Sequence, residues 1–346
     1  MIYDRMLLGR KAKELRFNRD TYEKVCRLVD VLSFFENDTL LSKALMLKGG
    51  TALNLTVFDV PRLSVDIDLD YTENVSREEM LNSRGMITDR ISKYMEANGY
   101  NLSKKSKKYH ALDSFVYEYI NAGGMKDNLK IEINYMNRCH ILPCSRRQVA
   151  EGFSDNPVSV LCADPIELYA SKIVALINRS TPRDLFDVYN LSEYIKLTPE
   201  ESNLLRKCIV FYIAISSSEI SGEPDWSGID SITQQSIKME LLPVLREKYF
   251  DAETAKAACK SFLQDLLKYS KEEKEFLSEF ARRNYKPELI FGNSAEAERI
   301  KSHPMALFKC SKMEKESVLG RLSRAKENVE QVNGNRKNKT KKQTIE

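Results

Sequence analysis

Glycines and carboxylates between residues 48 and 70 form the pattern in this chain that is most typical of a catalytic site. The segment begins Lys-Gly-Gly-Thr at residue 48 and reaches Asp-Ile-Asp at residue 66. If residues 62–70 form a strand, alternate side chains share one face, because successive residues of a strand point to opposite sides. The polar face of that strand would carry Arg62, Ser64, Asp66, Asp68 and Asp70.

The two carboxylates of Asp66 and Asp68 would lie side by side on that face and repel each other. A hard divalent cation relieves such repulsion, because magnesium takes oxygen ligands, commonly one or two carboxylates together with substrate phosphates. We therefore expect Asp66 and Asp68 to bind magnesium, or manganese in its place, since manganese accepts the same oxygen ligands.

The glycine pair supplies the other half of the pattern. Gly49 and Gly50 follow an apolar run at residues 44–47 and precede a helix-like stretch at residues 51–58. Backbone amides at a helix N-terminus bind anions, so Gly49, Gly50 and Thr51 are candidate contacts for a triphosphate. Each element alone is common in half-buried strands and turns. Together they form the layout of a metal-dependent nucleotidyltransferase site.

Four segments in the same order resemble the AbiEii-type toxins, a branch of the polymerase-beta-like nucleotidyltransferases. They lie at residues 49–53, 62–68, 167–176 and 183–189. The resemblance implies the toxin of a bacterial toxin–antitoxin pair with a role in phage defence. It also implies transfer of a nucleoside monophosphate from a nucleoside triphosphate to the 3′ end of transfer RNA, which would block translation. An antitoxin encoded nearby is implied as well, and direct contact with it is left open.

The same resemblance carries over further site residues. It implies that Arg62, Ser64 and Lys172 contact the nucleotide and that Asp184 orients the acceptor or the metal shell. Lys172 falls off the apolar stripe of a helix predicted to begin at Asp164, where its ammonium would offset phosphate charge. Without the resemblance, a helical lysine is usually solvated. Asp184 would then be only the third helical residue of a capping box begun by Thr181.

Two acidic positions keep structural alternatives. Glu132 lies in a strand-like run at residues 129–135. It is either a third carboxylate that completes the metal site, as this enzyme class generally uses, or an exposed partner of a lysine. Asp187 is predicted to be structural, paired with Arg183 one helical turn earlier.

Two functions outside this hypothesis use the same residues. The site could transfer a nucleotide to a protein hydroxyl, or the chain could be a non-catalytic binding module that retains the fold. The preferred nucleoside triphosphate cannot be predicted, because contacts to the base lie outside the motifs.

The order of predicted elements favours an α/β (α+β) fold, with a small mixed sheet flanked by helices. Helices are predicted at residues 21–35 and 77–98, and strands at residues 100–102, 114–121 and 129–135. The last two strands are predicted to form a hairpin around Gly123-Gly124, with Asp127-Asn128 in the connection.

Three parts are expected along the chain. Residues 1–160 would form the nucleotidyltransferase domain. Residues 161–330 would form a mainly helical domain that contributes Lys172 and Asp184 to the cleft. Residues 331–346 have almost no large apolar side chains and would be a disordered basic tail.

The formal net charge of +4 lies entirely in that tail, because residues 335–346 hold five basic residues and one acid. A chain that is otherwise balanced argues against a broadly basic nucleic-acid surface. A local patch remains, which is either an RNA contact or a solvated turn. It consists of Lys104, Lys105, Lys107 and Lys108.

The seven cysteines show no paired spacing, which predicts reduced thiols in a cytoplasmic protein. The cluster of Cys139, His140 and Cys144 lacks the second pair of ligands that structural zinc needs. No apolar run approaches the roughly 20 residues of a membrane helix, so we expect no membrane partner.

Overall fold

The computed structural model describes residues 3–217 and 225–311, and a mixed sheet lies at the centre of these ranges. Its eight strands are β1 (Leu45–Lys48), β2 (Asp66–Tyr71), β3 (Asn101–Leu102), β4 (Lys107–Lys108), β5 (Leu112–Ile120), β6 (Lys126–Asn134), β7 (Ser145–Gln148) and β8 (Ser159–Cys162). The order across the sheet is β3-β5-β6-β2-β1-β8-β7, and β4 pairs with β5. The β2–β6 and β1–β8 pairs are parallel and the others antiparallel.

Helices precede, interrupt and follow these strands. The first five are α1 (Arg5–Glu14), α2 (Arg19–Asn37), α3 (Leu41–Ala44), α4 (Gly49–Thr56) and α5 (Arg77–Ala97). After β8 come α6 (Pro165–Arg179), α7 (Pro182–Tyr194), α8 (Pro199–Ser216), α9 (Gln234–Ser236), α10 (Ala252–Leu266), α11 (Lys271–Ala281), α12 (Glu288–Phe291), α13 (Ala295–Ile300) and α14 (Pro304–Cys310). Single turns of other helix types occupy Ser227–Ser231, Ile237–Leu241 and Leu242–Val244.

The predicted fold class is confirmed, because the sheet is mixed and helices flank it. The predicted helices at residues 21–35 and 77–98 correspond to α2 and α5. Helix α5 begins at a capping box, in which Ser76 and Glu79 each bond to the other's backbone amide. The strands predicted at residues 114–121 and 129–135 correspond to β5 and β6.

The predicted strand over residues 62–70 is too long, because β2 begins only at Asp66. Ahead of it, Arg62 forms an isolated bridge with Leu245, and the Leu63 amide donates to the Val244 carbonyl at 2.8 Å. The backbone before β2 therefore pairs with the later helical segment instead of the sheet.

The predicted hairpin between β5 and β6 exists, but its turn is shorter than expected. The Asn121 amide donates to the Met125 carbonyl, which closes the turn around the glycine pair. Asp127 and Asn128 are not part of the connection, since they pair with Tyr119 and Glu118 inside the ladder.

One compact unit extends to Cys310, with a continuous apolar core on both sides of the sheet. The domain boundary at residue 160 stays a prediction, and the predicted tail at residues 331–346 lies outside the described residues. In the ranges that the structure describes, no helix is long and apolar enough to cross a membrane.

A buried carboxylate joins α2 to the turn between β5 and β6. Glu23 is fully buried, and its two oxygens accept the Ala122 amide at 2.9 and 3.0 Å. Arg27 donates to the same carboxylate at 2.8 Å. Because the site is dry, each of these groups depends on the others for compensation.

We predict that Glu23→Ala lowers the free energy of unfolding by about 3–5 kcal/mol, because it leaves the Arg27 guanidinium and the Ala122 amide without their acceptor. Urea unfolding at pH 7 measures the change. The exposed Glu275→Ala is the control, with an expected change within about 0.5 kcal/mol. Equal effects of the two substitutions would contradict the prediction.

Candidate active site

The carboxylates of β2 lie on one face of the sheet, as the alternation predicted. Asp66, Asp68 and Asp70 share this face, whereas Ile67 and Leu69 are buried in the core on the other side. Strand β6 runs parallel to β2, with Glu132 directly opposite Asp68 in the register. The fold therefore aligns Glu132 with Asp68, although 63 residues of irregular chain, helix and strand separate them in sequence order.

Gly49 is required where α4 begins, for two independent reasons. Its φ of +69° lies in the left-handed region, which other residues adopt at a cost. A Cβ atom at this position would also lie 2.6 Å from the Asp68 Oδ2 atom. Only a residue without a side chain allows the backbone to approach the carboxylate so closely.

Gly50 is surrounded by three of the predicted nucleotide contacts. A Cβ atom there would lie 2.9 Å from Arg62 Nη2, 3.0 Å from Ser64 Oγ and 3.5 Å from Lys172 Nζ. The tertiary structure thus brings four of the predicted nucleotide contacts together at the start of α4. Thr51 is fully buried, and its hydroxyl donates to the Asp66 carbonyl, which fixes the helix against β2. Because this hydroxyl is already bonded, the predicted phosphate contact of Thr51 would come from its backbone amide.

Lys172 belongs to a buried ion cluster. Its Nζ atom lies 3.2 Å from Asp184 Oδ1 and 2.9 Å from Asp187 Oδ2. Each carboxylate also has an arginine of its own: Arg62 binds Asp187 through Nε at 2.8 Å and Nη2 at 2.6 Å. Arg179 binds Asp184 through Nε at 2.6 Å and Nη2 at 2.9 Å. Within this cluster three cations thus face two carboxylates, which leaves a net charge of +1, and Lys172 and Arg179 also interact with the Asp68 carboxylate.

The predicted pairing of Asp187 with Arg183 is wrong. Asp187 pairs with Arg62 and Lys172, and the Arg183 Nε atom donates to the Glu240 carbonyl at 3.1 Å. Arg183 and Asp187 are four residues apart, a spacing that would allow an ion pair along one face of the helix. Asp187 is almost fully buried beside two cations, and ion pairs in a low-dielectric interior are far stronger than a pair at the surface.

Half of the capping box predicted at Asp184 is formed, and its role in orienting the acceptor or the metal shell stays a prediction. Thr181 caps α7 by accepting the Asp184 amide, and its hydroxyl donates to Asp184 Oδ2 at 2.7 Å. Burial alone would raise the pKa of this carboxyl. Arg179, Lys172 and Thr181 more than offset burial and lower the pKa to about 2. A fully buried carboxylate bound in this way holds Lys172 in position.

The charge environment of Asp68 fits a cation. Burial is the main cause that raises its pKa, and the neighbouring carboxylates of Asp66 and Glu132 raise it further, against the effect of Lys48 and Lys172. A divalent cation would relieve this repulsion. Within residues 3–217 and 225–311, however, no group of three or more His, Cys, Asp or Glu side chains is arranged to hold a metal ion.

Glu132 is instead paired with Lys130, at 3.1 Å between Oε1 and Nζ. The residues therefore fit a two-carboxylate magnesium site at Asp66 and Asp68, in which substrate phosphates and water supply the other ligands. Glu132 as a third ligand stays a prediction.

A cavity of about 440 Å³ opens beside these residues. Gly49, Gly50, Asp68, Lys172 and Arg179 line one end of it. A larger cavity of about 650 Å³ lies elsewhere and contains none of the predicted site residues. Its lining is rich in aromatic side chains, namely Phe58, Phe186, Tyr189, Tyr194, Tyr249 and Phe250.

The smaller cavity is also lined by residues that the sequence did not assign to a site. Asp70 pairs with Lys48 at 2.5 Å, and His140 lies between Asp70 and Glu167 at 3.9 and 3.8 Å. Glu167 lies in the first turn of α6 and accepts the amides of Ile141 and Leu142 at 3.0 and 2.9 Å. Its two neighbours in that loop could be identified only from the tertiary structure.

Helix-start amides beside paired carboxylates, with a cation cluster next to them, suit the binding of a triphosphate and its metal, as a nucleotidyltransferase needs. A family model described as nucleotidyl transferase AbiEii toxin, type IV toxin–antitoxin system, matches residues 34–282, and the chain belongs to this family. The resemblance predicted from the sequence is confirmed. The protein is a nucleotidyltransferase, the toxin of a toxin–antitoxin system, and it acts on a nucleoside triphosphate.

The fold is similar to that of MenT4, a nucleotidyltransferase toxin from Mycobacterium tuberculosis H37Rv. The TM-score is 0.58 at 13% sequence identity, and the alignment covers 88% of this chain and 98% of that chain. A comparison with curated protein sequences gave no match.

We predict that Gly49→Ala weakens the binding of nucleoside triphosphate at least tenfold, because the new Cβ atom would displace the Asp68 carboxylate. Titration calorimetry measures the affinity, and urea unfolding measures the stability.

Gly124→Ala is the matched control, since Gly124 also has a positive φ of 81° but has no atom within 4 Å of the Cβ position. It should lose about 1–2 kcal/mol of stability from backbone strain alone and retain nucleotide affinity. Equal affinities of the two variants would refute the proposed close approach.

The pKa of Asp184 predicts a dependence of stability on pH. Its folded pKa of about 2 lies below its ordinary value of 3.8. The ionised carboxylate therefore stabilises the fold above pH 4, and this contribution of about 2 kcal/mol is lost as the pH falls towards 2. In Asp184→Asn the free energy of unfolding should be lower at pH 7 and should fall less steeply between pH 4 and pH 2. Urea unfolding at each pH measures the free energy of unfolding. The control is Asp59→Asn at an exposed position, whose dependence on pH should have the same slope as that of the wild type. A mutant profile parallel to that of the wild type would show that the lowered pKa is wrong.

Proposed function

We propose that this toxin transfers a nucleoside monophosphate from a nucleoside triphosphate to the 3′-hydroxyl of transfer RNA, with magnesium bound at Asp66 and Asp68. The observation that carries the proposal is the close approach of the Gly49 backbone to the Asp68 carboxylate, beside a cation cluster with surplus positive charge. This arrangement offers adjacent sites for a triphosphate and for the metal that accompanies it.

The triphosphate is bound by the backbone amides at the start of α4 and by Lys172. Because Arg62 compensates Asp187 and Arg179 compensates Asp184, the charge of Lys172 is free to act on phosphate oxygens. The two carboxylates hold the ammonium in place before the nucleotide arrives. Such a preorganised cation stabilises the negative charge that develops on the leaving pyrophosphate without a reorganisation cost during the reaction.

Asp66 and Asp68 hold the metal, and manganese would fit the same donors. When bound there, magnesium supplies stabilisation of the attacking and leaving oxygens. The role of the chain is to keep both carboxylates on one face of the sheet. Thr51 contributes by fixing the backbone of Asp66 to α4.

In the reaction, the acceptor oxygen forms a bond to the α-phosphorus while the bond between the α-phosphorus and the bridging oxygen of the β-phosphate breaks. Pyrophosphate leaves, and the hydroxyl proton passes to a base. Glu132 is our candidate for the group that positions the acceptor hydroxyl, because it faces Asp68 from the neighbouring strand.

The register of the sheet supports an RNA acceptor. Lys107 on β4 pairs with Ser114, Ser114 pairs with Glu132, and Glu132 pairs with Asp68, so these four side chains share one face. At about 4.8 Å per strand, the exposed Lys107 lies roughly 14 Å from Asp68 along this row. Lys104 and Lys105 in the preceding turn are also exposed, whereas Lys108 lies on the opposite face of β4, over the Phe115 ring. A basic rim at this distance would contact phosphates of an RNA strand whose end reaches Asp68.

We predict that purified protein with magnesium transfers label from one or more α-labelled nucleoside triphosphates to RNA of transfer-RNA size. Asp66→Ala should lower the rate to below about one thousandth, because a missing metal ligand removes several kcal/mol of transition-state stabilisation. Asp59→Ala, which replaces an aspartate with a 97% exposed side chain, is the matched control and should retain activity. Total RNA and cell protein are offered together, and gel separation shows which becomes labelled.

Label on protein would replace the RNA acceptor with a protein hydroxyl. Absence of any label under magnesium and manganese would contradict the proposed reaction, and unaltered activity of Asp66→Ala would contradict the proposed metal site.

A further inference from the structure

The end of the smaller cavity that lies beyond Asp68 has no role in the mechanism described above. Asp70 continues the polar face of β2 and lies about 7 Å further along the strand. Around it the cavity is lined by Asn137, His140, Glu167 and Tyr212. A nucleotide with its triphosphate at Gly49 and Gly50 must place its nucleoside somewhere in this cavity or outside it.

Four polar side-chain atoms on the loop after β6 are buried without a hydrogen-bond partner in the part of the chain that the structure describes, namely Tyr135 Oη, Asn137 Oδ1, Arg138 Nε and His140 Nε2. Of these four residues, only Asn137 and His140 line the cavity. The His140 Nε2 atom lies 3.9 Å from Asp70 Oδ2, which is too far for a hydrogen bond. An unsatisfied buried polar atom costs free energy, so one that faces a cavity is a candidate contact for a ligand. Two such atoms three residues apart, facing the same cavity, indicate a ligand that would satisfy them.

The charges at this end do not favour phosphate. Asp70 and Glu167 are buried carboxylates, and the nearby positive groups are Lys48 and the imidazole of His140. Negative and positive groups balance here, whereas the end at Gly50 has a surplus cation. The triphosphate is therefore favoured at the Gly50 end, and the uncharged part of the nucleotide extends towards Asp70.

The hydrogen-bonding capacities of the two unsatisfied atoms are complementary. Burial acts to lower the pKa of His140, but Glu167 and Asp70 outweigh burial and raise it. Each ring nitrogen faces a carboxylate, Nε2 towards Asp70 at 3.9 Å and Nδ1 towards Glu167 at 3.8 Å, which favours an N–H donor at Nε2, whereas Asn137 Oδ1 can only accept. A nucleobase edge presents donors and acceptors side by side.

Helix α6 supplies the apolar surface that the face of a base requires. Leu168, Val174 and Ala175 line the same cavity, together with Ala163 just before the helix. An apolar wall with a few convergent polar groups is the usual composition of a small-molecule site. A charged phosphate chain would gain nothing from this wall, but a planar base would.

We propose that Asn137 and His140 recognise the edge of the nucleobase and thereby determine which nucleoside triphosphate this toxin uses. The inference rests on the proposed function in that it takes the triphosphate to bind at Gly49 and Gly50. It assigns the specificity of that site to the loop after β6, whereas the paired carboxylates and Lys172 act on the phosphates.

The test is calorimetric binding of ATP, CTP, GTP and UTP, each with magnesium chloride and without acceptor RNA, to the full chain. Asn137→Leu preserves the shape and removes both hydrogen-bonding groups, and His140→Gln removes the imidazole. Each should reduce the ratio of affinities between the preferred nucleotide and the next by about tenfold. Asn101→Leu and His110→Gln replace exposed residues of the same types and should leave the ratio unchanged.

Stability provides a second readout for Asn137→Leu. Because the substitution removes an unsatisfied buried acceptor, the free energy of unfolding should stay equal to that of the wild type or rise, even though selectivity is lost. This combination distinguishes a ligand-binding residue from a structural one and keeps the test decisive even if the His140 variant fails to fold.

The outcomes separate this inference from the proposed function. A wild type that prefers one nucleotide, together with Asn137 and His140 variants that lose the preference, supports the inference. Variants that keep the preference, or a wild type that binds all four nucleotides equally, overturn it and leave nucleotidyl transfer intact. A wild type that binds no nucleotide overturns both.

Discussion

A single buried ammonium group holds the functional half of this protein together. Lys172 on α6 joins two carboxylates of α7, and each carboxylate is joined to an arginine from a different segment. Removing one member of such a cluster leaves an uncompensated charge in a low-dielectric interior, which costs about 3–5 kcal/mol. The position of Arg62, the course of the backbone ahead of β2 and the packing of α6 against α7 all depend on this arrangement.

The same cluster explains how a cation can be kept ready for phosphate. An isolated buried lysine tends to lose its proton, because burial disfavours its charged form. Here the carboxylates of Asp184 and Asp187 favour the charged form of Lys172. Each of these carboxylates is also compensated by an arginine, so the cluster keeps a net positive charge. The surplus positive charge lies next to Gly50 at the start of α4, where a Cβ atom would lie 3.5 Å from Lys172 Nζ. Stability and phosphate binding are thus served by the same side chains.

The two ends of the cavity differ in the chemistry they leave unsatisfied. At the glycine end the unsatisfied quantity is charge, namely the net positive charge of the cation cluster and the Asp68 carboxylate, whose pKa is raised by burial and by neighbouring carboxylates. At the Asp70 end it is hydrogen bonding, on Asn137 and His140. A nucleoside triphosphate with its metal would satisfy both ends. Its phosphates and metal would compensate the charges at the glycine end, and its base would form hydrogen bonds at the Asp70 end. A fold optimised only for stability would retain neither defect.

The sequence by itself determined the shared face of Asp66 and Asp68, the glycine turn and the starts of α6 and α7, because these features follow from local periodicity and capping. The family followed from the resemblance of four segments in a fixed order. The tertiary structure alone decided where β2 begins, that Asp187 pairs with Arg62 instead of Arg183, and that Glu167 binds amides of the loop after β6. Arg62 and Asp187 are 125 residues apart, and no local pattern relates them. Periodicity predicts the side of an element on which a residue lies, whereas packing and burial decide which distant group it meets there.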